Sequence, residues 1–421
     1  MKKVTQAVLL AGGTSSRFYP YNGFGHKSLI TLGGMLLIVR TLEALKKHGI
    51  TNIIVVENDA GSVSARLSME EKKHFNITFV TQKKALGMGN ALLCAHEFLQ
   101  NDYFVLNAYH FEAGEYIKQL TYAKQKESDI VLLVRNGEDN TEYGLITNTN
   151  GKIKITEKSK EKVTSGVRLI GVYLLTKTFC EMLKKISEHE YSFEDAINQY
   201  SDTETIVTVE TAKETVSLKY PWSLLGVKDF LLKNLKRKIS KHADVSKNSE
   251  VNGEVVIADG AVIKDGAVIT GPAYIGRGAF IGNNVVIRNG VFIEEGVVIG
   301  ANMEVKDAII MKNTTTHSGF IGDSIIGENT KIAADFTTGN VRLDRGDIHT
   351  VVKGVKVNTK RKALGVLLGS KNSVGIKVGT MPGVIIGNNV IIGPGTTVME
   401  NVPDNVSFYT EFKKTITKED V

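Results

Sequence analysis

Isoleucine recurs every six residues at Ile257, Ile263, Ile269, Ile275, Ile281, Ile287, Ile293 and Ile299. An apolar or aromatic residue precedes each of them, from Val256 and Val262 to Phe292 and Val298, and small or turn-forming residues fill most of the gaps. A six-residue period fits neither the 3.6-residue repeat of an amphipathic helix nor the alternation of a hairpin sheet. It fits a chain wound into triangular coils, each repeat forming one side and each isoleucine filling the interior. Eight consecutive matches leave no room for coincidence. The pattern returns in 320–327 and in 384–393. The second half is therefore predicted to be a parallel β-helix of hexapeptide repeats.

The first half follows another rule. Strands are expected over 4–10, 53–56, 77–80 and 103–106, alternating with helices over 35–48, 62–74 and 91–99. Strands alternating with helices argue an α/β unit, a Rossmann-like parallel doubly wound sheet. Ligands then belong at the carboxyl ends of its strands. Residues 227–242, apolar on one face and basic on the other, are expected to form a helix joining the two halves. The resulting division is 1–230 for the α/β domain, 231–247 for the linker helix, 248–402 for the β-helix and 403–421 for a polar tail.

At the carboxyl end of the first strand the apolar run 7–11 breaks into Gly12-Gly13-Thr14-Ser15-Ser16-Arg17, and Lys27 follows ten residues after Arg17. A strand ending in glycines presents backbone N–H groups to phosphate, and Arg17 and Lys27 add charge suited to a polyphosphate. Taken alone, the same residues read equally well as an ordinary turn with two solvated cations. Gln82 follows the third strand, and Gly87-Met88-Gly89 opens the next helix. A side-chain amide both donates to and accepts from a pyrimidine edge, and glycine lets a base lie flat on the backbone.

The net charge of +7 is spread along the chain apart from two basic stretches, 228–241 and 353–362, with no interleaving of basic and aromatic residues, so no nucleic-acid surface is indicated. Anionic small molecules account for the excess as well. Two cysteines without a C-x-x-C spacing exclude a zinc framework and a disulfide scaffold and point to a reducing, cytoplasmic setting. No apolar stretch approaches membrane-spanning length.

The order Gly12, Gly13, Ser16, Arg17, Pro20, Lys27 resembles the signature loop of sugar-1-phosphate nucleotidylyltransferases, and the likeness extends over nearly the whole chain. It implies a nucleotidyltransferase fold of the GT-A-like kind followed by a left-handed β-helix. It implies that Gly12, Gly13, Ser16, Gln82 and Gly87 bind the nucleotide, that Gly144, Glu157 and Lys158 contact the sugar, and that Arg17 and Lys27 offset charge during transfer. The substrates implied are a nucleoside triphosphate and a sugar 1-phosphate. The family's Mg²⁺ is held by an Asp of an Asn-Gly-Asp stretch, where this chain has Asn107-Ala108-Tyr109, and by a late carboxylate, where it has Ser223. No metal ligand is therefore assigned. The stretch His317-Ser318-Gly319-Phe320 resembles the acetyltransferase site of two-domain enzymes that make UDP-N-acetylglucosamine. That implies His317 as the base taking a proton from a sugar amine, Asn340 as a sugar contact, acetyl-CoA as co-substrate and a homotrimer or larger homo-oligomer. Phe320 stands for the family's Tyr, and Asp335-Phe336 for small residues on the coenzyme path. The alternative reading is a catalytically impaired paralogue that binds nucleotide or nucleotide-sugar and regulates or scaffolds an active homologue.

Overall fold

The structure is a computed structural model that describes residues 3–126, 129–138, 144–149, 152–156, 165–212, 215, 217–411 and 413. Contacts divide the chain into two compact units. The first comprises Met1–Ser15, Phe24–Ile30 and Met35–Val216; the second comprises Ser16–Gly23, Thr31–Gly34 and Ser217–Val421.

In the first unit the strands are β1 (Gln6–Ala11), β2 (Asn52–Asn58), β3 (Asn76–Gln82), β4 (Asp102–Asn107), β5 (Ile130–Glu138), β6 (Leu145–Thr149), β7 (Lys152–Thr156), β8 (Ser165–Thr176) and β9 (Ile206–Glu210). They form one sheet in the order β9-β5-β8-β4-β1-β2-β3, with β6 pairing β8 and β7. Helices α1 (Leu37–Lys46), α2 (Gly87–Cys94), α3 (Gly114–Ala123), α4 (Lys177–Leu183) and α5 (Ser192–Thr203) accompany it. Short apolar strands are buried on both faces, as parallel strands between helix layers must be. Alternate side chains go to opposite cores: Leu9, Ile53 and Val55 to one, Val8, Ile54 and Val56 to the other.

Strands β1 to β4 run parallel as expected, but the sheet is mixed, because β8 lies antiparallel to both β4 and β5. The described chain between β5 and β8 passes through strands β6 and β7, and only a crossover connection would return it parallel. Helix expectations also shift, among them 91–99, where α2 runs from Gly87 only to Cys94 and a separate short turn covers His96–Phe98. The segment 62–74 forms two short helices, Ser62–Arg66 and Met69–Lys72, separated at Leu67, whose backbone is extended. The segment 35–48 begins as strand at Met35–Leu36 before α1.

The second unit is the coil. Its strands form three parallel sheets of eight, nine and eight strands, the three sides of a hexapeptide-type, left-handed β-helix. Ile257 pairs with Ile275 and Ile275 with Ile293, so one coil takes three six-residue repeats. The stacked isoleucines are at most 1% exposed. Corners require left-handed backbone, and Asn284, Asn302 and Asn313 supply it with φ of 56 to 57°, asparagine tolerating that region better than most residues.

The linker helix over 231–247 is not formed. Helix α6 spans Ser223–Lys233, and the coil begins at Lys238–Ile239, which pairs with Val256–Ile257. Ile239, Val245 and Val251 already lie on the six-residue spacing that leads to Ile257, so strand register outweighs helical amphipathicity. At the other end Ser407–Phe408 still pairs with Ile391–Ile392, so the coil extends into the expected tail.

Three polar anchors complete this unit. Lys228 of α6 is fully buried, and its Nζ donates to Asp229 Oδ1 at 2.5 Å, Asp307 Oδ1 at 2.6 Å and the Gly290 carbonyl at 2.9 Å. The Tyr21 hydroxyl donates to the carbonyls of Ile325 at 2.8 Å and Leu368 at 3.3 Å. The buried Glu294 carboxylate accepts from the backbone N–H of Gly33 at 2.6 Å and Gly34 at 2.9 Å. These contacts explain why 16–23 and 31–34 belong to the coil's unit and not to the expected 1–230 domain.

Candidate active site

The Gly12-Gly13 turn leaves β1 at its carboxyl end, with β2 and β4 parallel on either side. Gly12 is buried and Gly13 exposed. A Cβ at Gly12 would lie 2.2 Å from Gln82 Oε1, whereas one at Gly13 would meet nothing within 4 Å. The first glycine is thus required by packing, and the second leaves open backbone toward a ligand. Ser16 and Arg17 follow, both exposed, in a single turn, Ser16–Phe18, whose Phe18 is buried and which belongs to the second unit.

Lys27 is held by its main chain, which donates from N to Ser15 Oγ at 3.2 Å. Its ammonium lies 4.6 Å from the centroid of the Tyr109 ring, within the range where an aromatic face attracts a cation. The preceding residue, His26, is 4% exposed, and its Nδ1 caps the Ser28 N–H. Burial, and then the neighbouring Lys27 charge, push its pKa down to about 3, so it stays neutral beside the loop.

Gln82 ends β3 and is buried. Its Nε2 donates to the Gly87 carbonyl at 3.1 Å and to Asn90 Oδ1 at 2.9 Å. The amide therefore braces the start of α2 against the Gly12 turn. Gly87 has φ of 79°, and a Cβ there would lie 2.2 Å from the Glu190 carbonyl oxygen; both features demand glycine. Gly144 is buried, and its carbonyl accepts from Leu169 N at 3.1 Å. Glu157 and Lys158 lie outside the described residues.

Other groups occupy the family's metal position in this chain. Ala108 offers no side-chain donor. The Tyr109 ring is 7% exposed and faces the Lys27 ammonium. The nearest carboxylate in sequence, Glu112, has Oε1 2.8 Å from His110 Nδ1, while His110 Nε2 lies 3.4 Å from Asn107 Nδ2. An imidazole with its proton on Nδ1 satisfies both neighbours, donating to the carboxylate and accepting from the amide. In the second unit the Ser223 hydroxyl accepts from Tyr220 N at 3.3 Å. Among the described residues no group of three or more His, Cys, Asp or Glu side chains could hold an ion. Mg²⁺ asks for hard anionic oxygens in near-octahedral array, and these residues do not fit it.

On the coil, His317 is exposed at the edge of an open groove of about 480 Å³, with Thr315, Lys331, Ser373 and Tyr409 also on its wall. Lys331 and Tyr409 escaped the reading of the sequence: one sits within an ordinary repeat, the other in the stretch taken for a tail. Asn340 is not on the groove's wall; its Nδ2 donates at 2.5 Å to Asp323 Oδ2, which also accepts from Lys306 Nζ at 2.8 Å. Phe336 is fully buried in the coil interior, so it does not obstruct the surface where a coenzyme was expected to approach. Asp335 is exposed and accepts from Ser318 Oγ at 3.2 Å.

The chain is similar to known proteins over most of its length. Residues 6–234 match the family model "Nucleotidyl transferase", and residues 269–366 match "GMPPB C-terminal domain". The chain is 32% identical to a "Bifunctional protein GlmU" of Methanococcus maripaludis over 98% of this chain and 99% of that one. It is 30% identical, over the same shares, to the protein of that name in Methanococcus vannielii. A "Bifunctional sugar-1-phosphate nucleotidylyltransferase/acetyltransferase" of Sulfurisphaera tokodaii is 31% identical over 94% of this chain and 98% of its own. With the glycine turn, the lysine and the coil each in place, the chain belongs to the nucleotidyl transferase family, in the two-domain form that carries a C-terminal β-helix.

Proposed function

We propose that the protein transfers a nucleotidyl group from a uridine or thymidine triphosphate to a sugar 1-phosphate. A phosphate oxygen of the sugar 1-phosphate attacks the α-phosphorus, the bond to the β-phosphate oxygen breaks, and pyrophosphate leaves. The observation that carries this reading is the open backbone at Gly13, just past the end of β1, together with a Lys27 ammonium whose main chain is tied to the same loop. Reactions of this class depend chiefly on positioning and on offsetting charge. The glycine turn presents N–H groups, Lys27 and Arg17 supply positive charge, and Gln82 braces the α2 start where the base would lie. Glu157 and Lys158 are proposed sugar contacts, as is Gly144.

We further propose that the groove at His317 accepts acetyl-CoA and a sugar amine, with the imidazole taking the amine proton as the nitrogen attacks the thioester carbonyl and the thiolate departs. Asn340, held by Asp323, is proposed to orient the sugar. The exposed Ile376, Ile391 and Tyr409 on the coil support a homotrimer, and unpaired Cys94 and Cys180 support a cytoplasmic setting. Among the described residues no helix is long and apolar enough to cross a membrane.

The test is pyrophosphate release from UTP or dTTP with glucose 1-phosphate or N-acetylglucosamine 1-phosphate. Release by the unaltered protein that falls about a hundredfold in Lys27→Met, the scale of a lost charge-assisted contact made in the transition state, supports the reading. Release that is unchanged in Lys27→Met refutes the role given to this loop.

A further inference from the structure

We propose that the nucleotide pocket receives its ligand's phosphates without a divalent cation held by the protein, the Lys27 ammonium standing where a carboxylate-bound ion would be expected. This rests on the reading above that a nucleotide occupies the pocket.

Three observations within the first unit converge. First, the chain leaving β4 at Ala108-Tyr109 supplies no anionic oxygen; it supplies a methyl group and a buried ring. Second, that ring's face carries a cation already, with Lys27 Nζ 4.6 Å from its centroid. A second, doubly charged ion at the same spot would be repelled by the ammonium and would lack the oxygens it needs in exchange for its hydration shell. Third, Glu112, the neighbouring carboxylate, has a side chain with no exposed surface and is turned to His110 Nδ1 at 2.8 Å. The local chemistry thus favours one fixed monovalent cation. Tyr109 is packed against His110 as well, with ring centroids 4.9 Å apart, so the aromatic platform is fixed before a ligand arrives. The ligand class is a pyrimidine nucleotide whose phosphates meet an ammonium and backbone N–H groups.

The test is calorimetric titration of the full-length chain with UDP-glucose and with dTDP-glucose, once in EDTA and once in millimolar Mg²⁺. Mn²⁺ paramagnetic resonance is recorded on the same protein. The expected result is a Kd that agrees within about twofold between the two buffers, with no stoichiometric Mn²⁺ signal. Lys27→Met is expected to weaken binding about tenfold or more in both buffers, the loss of one charge-assisted contact. Binding at least tenfold tighter in Mg²⁺, or one Mn²⁺ per unaltered chain, overturns the proposal and leaves the nucleotide reading standing. Failure of both nucleotide-sugars to bind in either buffer overturns the nucleotide reading and the proposal with it.

Discussion

Lys228 gives the account a quantitative test. Its ammonium is enclosed, with three partners within 2.9 Å, and two of them are carboxylates, Asp229 and Asp307. Lys228→Ala leaves the Gly290 carbonyl without its donor and the Asp307 carboxylate with only the more distant Arg361 guanidinium, 3.9 Å away. Removing one member of a buried pair costs about 3–5 kcal/mol, because the remaining charge is left without compensation. The side chain of Asp307 is 22% exposed and that of Asp229 is 48% exposed, so water recovers part of the loss. The expected cost is therefore at the lower end, about 3 kcal/mol. The only tryptophan in the chain, Trp222, is buried one residue before α6 and stacks on Tyr220 with centroids 4.6 Å apart, so its emission follows this unit. With a urea slope of about 1–3 kcal/mol/M, the emission midpoint should fall by about 1–3 M. Lys228→Met combined with Asp307→Leu removes charge from both sides and should recover most of that loss, since apolar replacement of a buried pair is often neutral. A midpoint shift under about 0.3 M for Lys228→Ala, or a double variant no more stable than the single one, refutes the assignment of Lys228 as the polar clamp on α6.

Three further outcomes follow from the structure. Gly12→Ala should push Gln82 from its place and weaken binding of UDP-glucose about tenfold, a loss on the scale of one disturbed buried hydrogen-bonding group; Gly13→Ala, with open space around it, should fold as stably as the unaltered protein by thermal unfolding. His26 has its pKa lowered in the folded state from 6.5 to about 3, so the unfolded chain binds the extra proton. Its contribution to stability is complete above pH 6.5 and declines as the pH falls toward 3, by up to about 1.4 kcal/mol per pH unit; circular dichroism of urea unfolding at stepped pH should show that slope, and His26→Gln should flatten it. Glu294→Gln keeps one acceptor for Gly33 and Gly34 but loses the charge, and should cost about 1–2 kcal/mol, read by the Trp222 emission midpoint.

The coil was legible because its signal is periodic. Isoleucine at every sixth position states the strand, the turn and the buried face together. Its limits were less legible: Ile239, Val245 and Val251 share the spacing, but the lysines around them also suit an amphipathic helix, and only pairing with the next coil decides between the two. In the α/β unit the strands β1 to β4 followed from their apolar runs, whereas the reversal of β8 depends on a connection through β6 and β7; the alternation of β7 from Lys152 to Thr156 marks a strand but not its direction in the sheet. The site divides in the same way. Gly12 and Gln82 were singled out because each closes an apolar strand run, and Lys27 because it follows the first turn; the packing of Gln82 against Gly12 is what the fold adds. The approach of Lys27 to Tyr109 was not legible, because it joins residues 82 positions apart, and a tyrosine read alone says only that a carboxylate is absent. The anchoring of Tyr21 and of Gly33-Gly34 on the coil was equally hidden, being set by main-chain acceptors and by Glu294, which looked like one more polar residue in a repeat.

The central claim is that the Gly12 turn and Lys27 form a phosphate-binding site for a pyrimidine nucleotide. The measurement that tests it most directly is a crystal structure of the protein soaked with UDP-glucose or UTP. The account predicts phosphate density within hydrogen-bonding distance of Lys27 Nζ and of the Gly12-Gly13 backbone, with no metal density between the phosphates and Tyr109. Nucleotide bound away from the β1 turn, or phosphates reaching Tyr109 through an ion, would contradict it.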